Sequence, residues 1–147
     1  MPSDERAIEN LLFTYAERID SGDLDGVAEL FTFGRVTTSD GAVTFAGRDE
    51  VLAMYTAAVL IHPDTGTPKT KHVTTNAIIE LGVPGTATAR SYYTVFQATP
   101  ELALQPIITG RYHDTFRSVD GTWWFDTRVM LIDHTGDLSH HLRFPLS

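Results

Sequence analysis

Cysteine is missing from all 147 residues. Its absence excludes disulfides, thiolate nucleophiles, iron–sulfur clusters and cysteine-held zinc together. Basic residues are scarce too: eleven Lys and Arg stand against nineteen Asp and Glu, a formal charge of −8. A nucleic-acid binder needs a dense basic footprint, so that class is set aside. No apolar run approaches the roughly 20 residues that span a bilayer, and no membrane partner is expected. The opening MPSDERAIEN is polar and acidic, unlike a secretory leader, and a cytoplasmic location is the expectation. Repeats, low-complexity runs and linkers are absent as well, so residues 1–147 read as one domain. What is present is an ordinary globular composition, 42% hydrophobic and 20% charged, in a chain long enough to bury roughly 70% of its unfolded surface.

The apolar spacing then changes period along the chain. Ser3 can cap a helix that Asp4 and Glu5 open, and Ile8, Leu11, Leu12, Tyr15, Ala16 and Ile19 form one apolar stripe along it. Ser21-Gly22-Asp23 ends that helix, and Asp23 can cap a second, shorter one through Val27, Leu30 and Phe31. A small hairpin is predicted for Arg35–Thr38 and Val43–Phe45. A third helix starts at Gly47 with Val51, Leu52, Tyr55 and Val59 inward, and stops before His62-Pro63. From there the pattern is β-rich: Lys71–Leu81, Thr86–Ala98, Leu104–Ser118 and Thr122–His134, with Asp120-Gly121 a strong hairpin signal. Three helices followed by a β meander is the α+β pattern, helices covering one face of a curved sheet.

Several segments together carry a family resemblance: KHVTTN opening a long strand, ARSYYTVF in the next, then GRYHDTFRSVDGTWWF and TRVMLIDHTGDLSHHL. The chain, over roughly Ile8 to Leu142, resembles a SnoaL-like domain of the nuclear transport factor 2 superfamily. The resemblance implies a cone-shaped α+β barrel, three N-terminal helices packed on a strongly curved mixed or antiparallel sheet that encloses a pocket. Relatives of that kind include polyketide cyclases, scytalone dehydratase, bile-acid dehydratase, hexachlorocyclohexane dehydrochlorinase, non-catalytic members and the small subunits of ring-hydroxylating dioxygenases. Fold alone therefore does not choose a function. Dehydratase and dehydrochlorinase members place an Asp at the end of the first helix and a His at the start of the first long strand, positions held here by Asp20 and His72. The dehydrochlorinase has an active-site Arg shortly after its D-G-x-W turn, which matches Arg128. Where it has a Lys on the first helix this chain has Tyr15, a departure that speaks against halide loss. Family dehydratases polarise a carbonyl with tyrosines, and Tyr15 leans that way.

An imidazole with an unperturbed pKa near 6.5 can take and return protons near neutrality. A carboxylate on its far nitrogen fixes the tautomer and stabilises the imidazolium. Such a dyad suits removal of a carbon-bound proton with loss or migration of a β group, and a cation such as Arg128 suits the oxygen on which charge grows. The expected function is thus a cofactor-independent lyase, isomerase or cyclase acting on a small hydrophobic carbonyl or aromatic molecule. Two rivals stay open: a non-catalytic binding or assembly module, and an epoxide-opening hydrolase that needs a second inward carboxylate, for which Asp114 is the candidate. Taken singly, Asp20 reads as a solvated acid or cap, His72 as a structural histidine and Tyr15 as core.

Strand alternation distributes the remaining candidates. If His72 points inward, so do Thr74, Asn76 and Ile78. Ile108, Gly110, Tyr112, Asp114 and Phe116 form the more apolar face of the third long strand, with Tyr112 and Asp114 as pocket candidates. Arg128, Met130 and Ile132 share a face of the last strand. Strict alternation would then put Trp123 and Phe125 outward, unless a bulge intervenes. Ala87, Ala89, Ser91, Tyr93 and Val95 look like the face under the helices. His134, His140 and His141, with Asp133 and Asp137, fit no zinc spacing. No metal is expected, and LSHHLRFPLS reads as a tail over the pocket mouth or against a second subunit. A homodimer, or a higher homo-oligomer, is the expected assembly.

Overall fold

Ser3 starts the first helix: its Oγ accepts from the Arg6 N–H at 3.2 Å, and Asp4 and Glu5 fill the first turn of α1 (Asp4–Asp20). The computed structural model describes residues 1–145; Leu146 and Ser147, the end of the tail, lie outside the described residues. Ile8, Leu12, Tyr15 and Ile19 form the buried stripe of α1, spaced as one helix face requires. The helix stops at left-handed Gly22 (φ +80°). There the Gly22 N–H donates to the Ile19 carbonyl and the Asp23 N–H to that of Arg18, at 3.0 and 2.9 Å, the bond pair of a Schellman cap. Gly22 is required twice over, since a Cβ there would lie 2.1 Å from the Gly66 carbonyl oxygen. That close approach sets the end of α1 against the loop leading to β3. Asp23 caps α2 (Leu24–Glu29) on the Gly26 N–H, and α3 (Gly47–Ala58) buries Val51 and Tyr55. No helix among the described residues is long and apolar enough to cross a membrane.

β1 (Arg35–Thr38) and β2 (Thr44–Ala46) form the small hairpin. The long strands β3 (Thr70–Leu81), β4 (Thr86–Thr99), β5 (Leu102–Val119) and β6 (Thr122–Thr135) form an antiparallel meander, and β1 joins the edge of β6 in parallel. The order β2-β1-β6-β5-β4-β3 makes a mixed sheet that wraps the helices without closing, so the cone is an open one rather than a barrel.

Two register breaks decide which residues face inward. Thr115 pairs with Thr127 but Phe116 with Phe125, so Asp126 is the extra residue and Phe125 turns into the core. In β3, Thr75 pairs with Tyr92 and Ile78 with Arg90, leaving two residues opposite Ser91, with Asn76 at φ +40°. Past this bulge Ala77 and Ile79 pack on the core while Asn76 and Ile78 are exposed. The expectation that Asn76 reaches the pocket is thereby corrected: one inserted residue inverts the alternation. The inward faces of β4 and β5 are as expected, with Ala87, Ala89, Ser91, Tyr93, Val95, Tyr112, Asp114 and Phe116 buried.

At one end of the concave face Phe125 stacks on Phe31 and tilts against Phe116, each at 4.9 Å between centroids. Above it lies Arg128, 0% exposed. Its Nε and Nη2 donate to the two carboxylate oxygens of Asp114 at 2.9 Å each. The guanidinium carbon sits 4.8 Å from the Phe125 ring centroid, 4.4 Å from that of Tyr15 and 3.6 Å from that of Tyr112. A buried pair loses more from the removal of one partner than from the loss of both. Asp114→Ala should therefore destabilise the chain by about 3–5 kcal/mol, and the double change Asp114→Leu with Arg128→Met should restore most of it, as measured by urea unfolding. Equal losses in the two variants would show that the cost is one of packing volume instead.

Candidate active site

The end of α1 and the start of β3 meet through one carboxylate. Asp20 Oδ1 accepts from Thr70 Oγ1 at 2.8 Å and from His72 Nδ1 at 2.6 Å; Oδ2 accepts from the His72 backbone N–H at 2.8 Å. A carboxylate only accepts, so Nδ1 carries the ring proton and Nε2 is the nitrogen left for chemistry. The His72 side chain is 7% exposed and that of Asp20 13%. An acid in the last turn of a helix stands against the macrodipole, and these three donors are what offset it.

His72 lines a cavity of about 210 Å³ between the helices, the sheet and the tail. Tyr15 and Ile19 of α1 and Met54 and Tyr55 of α3 form one wall; Tyr93, Val95, Ile108, Tyr112 and Met130 form the sheet wall; His141, Leu142 and Phe144 close the mouth. Tyr93 reaches across Gly110, where a Cβ would lie 2.5 Å from its hydroxyl, and donates to the Leu131 carbonyl at 3.1 Å. Its ring stacks on Tyr112 at 4.3 Å. The Tyr15 and Tyr55 hydroxyls lie 2.5 Å apart. One hydrogen bridges the two oxygens and the second phenolic hydrogen is left over, free to donate. Burial pushes both phenols above their ordinary range, Tyr55 further, so both stay protonated donors.

The tail packs over the pocket mouth, one of its two expected places. Leu142 bridges Val59, and the His140 carbonyl accepts from His62 Nε2 at 2.8 Å and Gln97 Nε2 at 2.9 Å. The three late histidines diverge: His134 bonds Thr109, His140 bonds Thr99, and His141 turns into the cavity.

Of the residues nominated from sequence, Asp20 and His72 come together as a dyad, and Tyr15, Tyr112 and Met130 line the cavity beside them. Arg128 and Asp114 do not. The register that sets Asp114 opposite Arg128 buries them as a pair behind the rings of Tyr15 and Tyr112. Arg128 as a direct ligand of a substrate oxygen, and Asp114 as a free second carboxylate, are corrected accordingly. Tyr55, inward on its helix as expected, reads from the sequence as core because it falls in an apolar stripe, although its hydroxyl signals that a buried partner must exist. In the sequence His141 stands out only within the late histidine cluster that fits no zinc spacing and within the tail, and neither reading points to the cavity.

A family profile described as SnoaL-like domain matches residues 2–129. No curated protein matches the chain. Among solved structures, a Novosphingobium aromaticivorans protein provisionally assigned as a scytalone dehydratase is 27% identical with a TM-score of 0.71, over 91% of this chain and 87% of its own. A nuclear transport factor 2-like protein with a cystatin-like fold from the same species is 25% identical with a TM-score of 0.73, over 90% and 84%. ActVI-ORFA from Streptomyces coelicolor, 18% identical with a TM-score of 0.71 over 89% and 98%, is alike in fold.

Burial, and after it the neighbouring His72, pulls the His141 imidazole down to about 4, whereas an unfolded histidine titrates near 6.5. Between those values the unfolded chain holds the extra proton, so stability is fully present above about pH 6.5 and is lost as pH falls toward 4. His141→Phe should flatten that slope by roughly 3 kcal/mol across the window, seen as urea midpoints measured against pH. An unchanged slope would mean that other groups carry the acid sensitivity.

Proposed function

The chain belongs to the SnoaL-like domain family, and on that footing we propose that it is a cofactor-independent lyase, isomerase or cyclase of the dehydratase type. Its substrate is a small hydrophobic molecule bearing a carbonyl or aromatic oxygen. The observation that carries this reading is the 2.6 Å contact between His72 Nδ1 and Asp20 at the wall of a mainly apolar cavity. With Nδ1–H spent on the carboxylate, Nε2 takes a proton from the carbon next to the carbonyl. The C–H bonding pair moves into the new C=C bond and the carbonyl pair onto oxygen. When that pair returns, the bond to a β substituent breaks, and the departing group collects the proton from His72. Asp20 stabilises the imidazolium in between. The spare hydrogen of the Tyr15–Tyr55 pair binds the oxygen on which charge builds.

The cavity bounds the substrate. At about 210 Å³ it exceeds the roughly 150 Å³ of an engineered cavity that takes benzene, so one ring or a compact pair of rings is the fitting size. The likeness to a protein provisionally assigned as a scytalone dehydratase agrees with the class. The epoxide-opening reading loses its second carboxylate, because Asp114 is committed to Arg128. A purely structural histidine would not need a buried carboxylate on one nitrogen and an apolar hollow at the other.

Proton abstraction can be tested without the natural substrate. Bicyclic aryl ketones, alpha-tetralone among them, are incubated with the protein in deuterium oxide and α-proton exchange is followed by proton NMR. The wild-type chain should wash in deuterium, and His72→Gln should slow the exchange by about 10²–10⁴ with its circular dichroism unchanged. Equal exchange by the two, or none by the wild type on any ketone that binds, would discard the assignment.

A further inference from the structure

We infer that His141 is a second group that touches the substrate, a neutral imidazole whose ring N–H donates a hydrogen bond to the oxygen that gains charge as His72 takes the neighbouring proton. The inference rests on reading the cavity as an acid–base site, and it concerns a residue beyond the family match, which ends at residue 129.

The position of the ring is built rather than incidental. The Leu60 N–H donates to the His141 carbonyl at 2.8 Å and the Arg143 N–H to the Ala58 carbonyl at 2.9 Å. The two side-chain bonds from His62 and Gln97 clamp the preceding carbonyl. These anchors, from the end of α3, the segment after it and β4, deliver the imidazole to within 6.1 Å of the His72 ring, centroid to centroid, at an interplanar angle of 66°. Tyr15 flanks His72 at 6.5 Å. His72 is thus a neighbour of both Tyr15 and the second imidazole, and all of them line one cavity with Tyr55.

The ring is also costly where it is. His141 is 6% exposed, and its Nδ1 is buried without a hydrogen-bond partner among the described residues. A phenylalanine or leucine would fill the same space without stranding a polar atom. Packing does not account for an imidazole here; a ligand does. With Nδ1 shut away, Nε2 is the nitrogen left to the cavity that the ring lines. A bare buried lone pair on Nδ1 is better tolerated than a buried, unanswered N–H, so the ring proton belongs on Nε2, pointing at the ligand.

The two histidines are prepared for opposite work. Asp20 holds the ring of His72 in one tautomer and welcomes its positive charge. Among the described residues no carboxylate is bonded to His141; the neighbouring His72 and, more weakly, His62 oppose a charge on it, and Asp20 alone of the named groups favours one. Burial dominates and keeps the imidazole neutral at neutral pH. A neutral imidazole N–H polarises an oxygen without surrendering its proton, so His141 ends each turnover in the state in which it began it. The only proton that moves is the one His72 takes from carbon and hands to the departing group.

Para-nitrophenol serves as the probe, since its phenolate oxygen imitates the charged oxygen, and para-nitroanisole, of similar shape, carries no such charge. The wild-type chain should bind the phenolate more tightly than the ether. His141→Phe should lose roughly tenfold or more on the phenolate and little on the ether, while His141→Gln, which keeps an N–H, should retain most of the phenolate affinity. Nitrogen NMR of the ring should find a neutral Nε2–H tautomer at neutral pH whose shifts move on adding the phenol. A loss shared equally by both probes, a charged His141 ring at neutral pH, or shifts that ignore the phenol would each overturn the inference. Binding of neither probe by the wild-type chain overturns the reading of the cavity, and this inference with it. If ketone exchange proves independent of His72 while the phenolate pattern holds, the base assignment falls and the His141 oxygen site stands.

Discussion

The carboxylate of Asp20 accepts from Thr70 Oγ1 and from both the backbone and the ring of His72, and through those bonds it joins the last turn of α1 to the first residues of an edge strand. Hydrogen bonds to a charged acceptor stabilise by about 1.5–3 kcal/mol each, more than the dipole penalty of an acid at a helix end, which is up to about 1 kcal/mol. The placement is therefore favourable only because the partners are present. Schellman closure at Gly22, with the backbone of Gly66 pressed against it, brings the helix end within reach of β3. The same contact that docks the helix fixes the tautomer of the imidazole, so docking and chemistry share one interaction.

Arg128 governs the opposite wall by a different route. Burial alone would pull its guanidinium down, but the Asp114 carboxylate and its hydrogen bonds hold it above its ordinary value, permanently charged. That charge lies against the faces of Tyr15 and Tyr112 and opposes the upward push that burial exerts on both phenols. It shapes the cavity floor through two aromatic rings. The concave face is thus layered: a phenylalanine core, then a buried ion pair under aromatic rings, then a hollow under the tail whose polar atoms are few.

Much of this was legible in the chain. The stripe of α1, the caps at Ser3 and Asp23, the β1–β2 hairpin and the inward faces of β4 and β5 follow from periods of 3.6 and 2. The pairing of Asp20 with His72, 52 residues apart, came from resemblance and not from spacing. Asn76 was misplaced because a bulge is invisible to a rule of strict alternation, whereas at Phe125 the conflict between alternation and a large aromatic gave the bulge away. Arg128 and Asp114 were rightly turned inward, yet nothing local said that they would consume each other.

Backbone sterics and burial of apolar area act over a few residues, and for that reason the sequence alone determined the elements, their caps and most of their faces. Whether a polar side chain inside the cone is free or engaged depends on partners far along the chain: Asp114 and Arg128 are 14 residues apart, Tyr15 and Tyr55 are 40 apart, and His62 and His140 are 78 apart. Only the tertiary structure decided those pairings, because electrostatic and hydrogen-bond partnerships are set by distance in space. It is they that sealed Arg128 away, left one phenolic hydrogen unspent, and carried His141 to the mouth of the cavity.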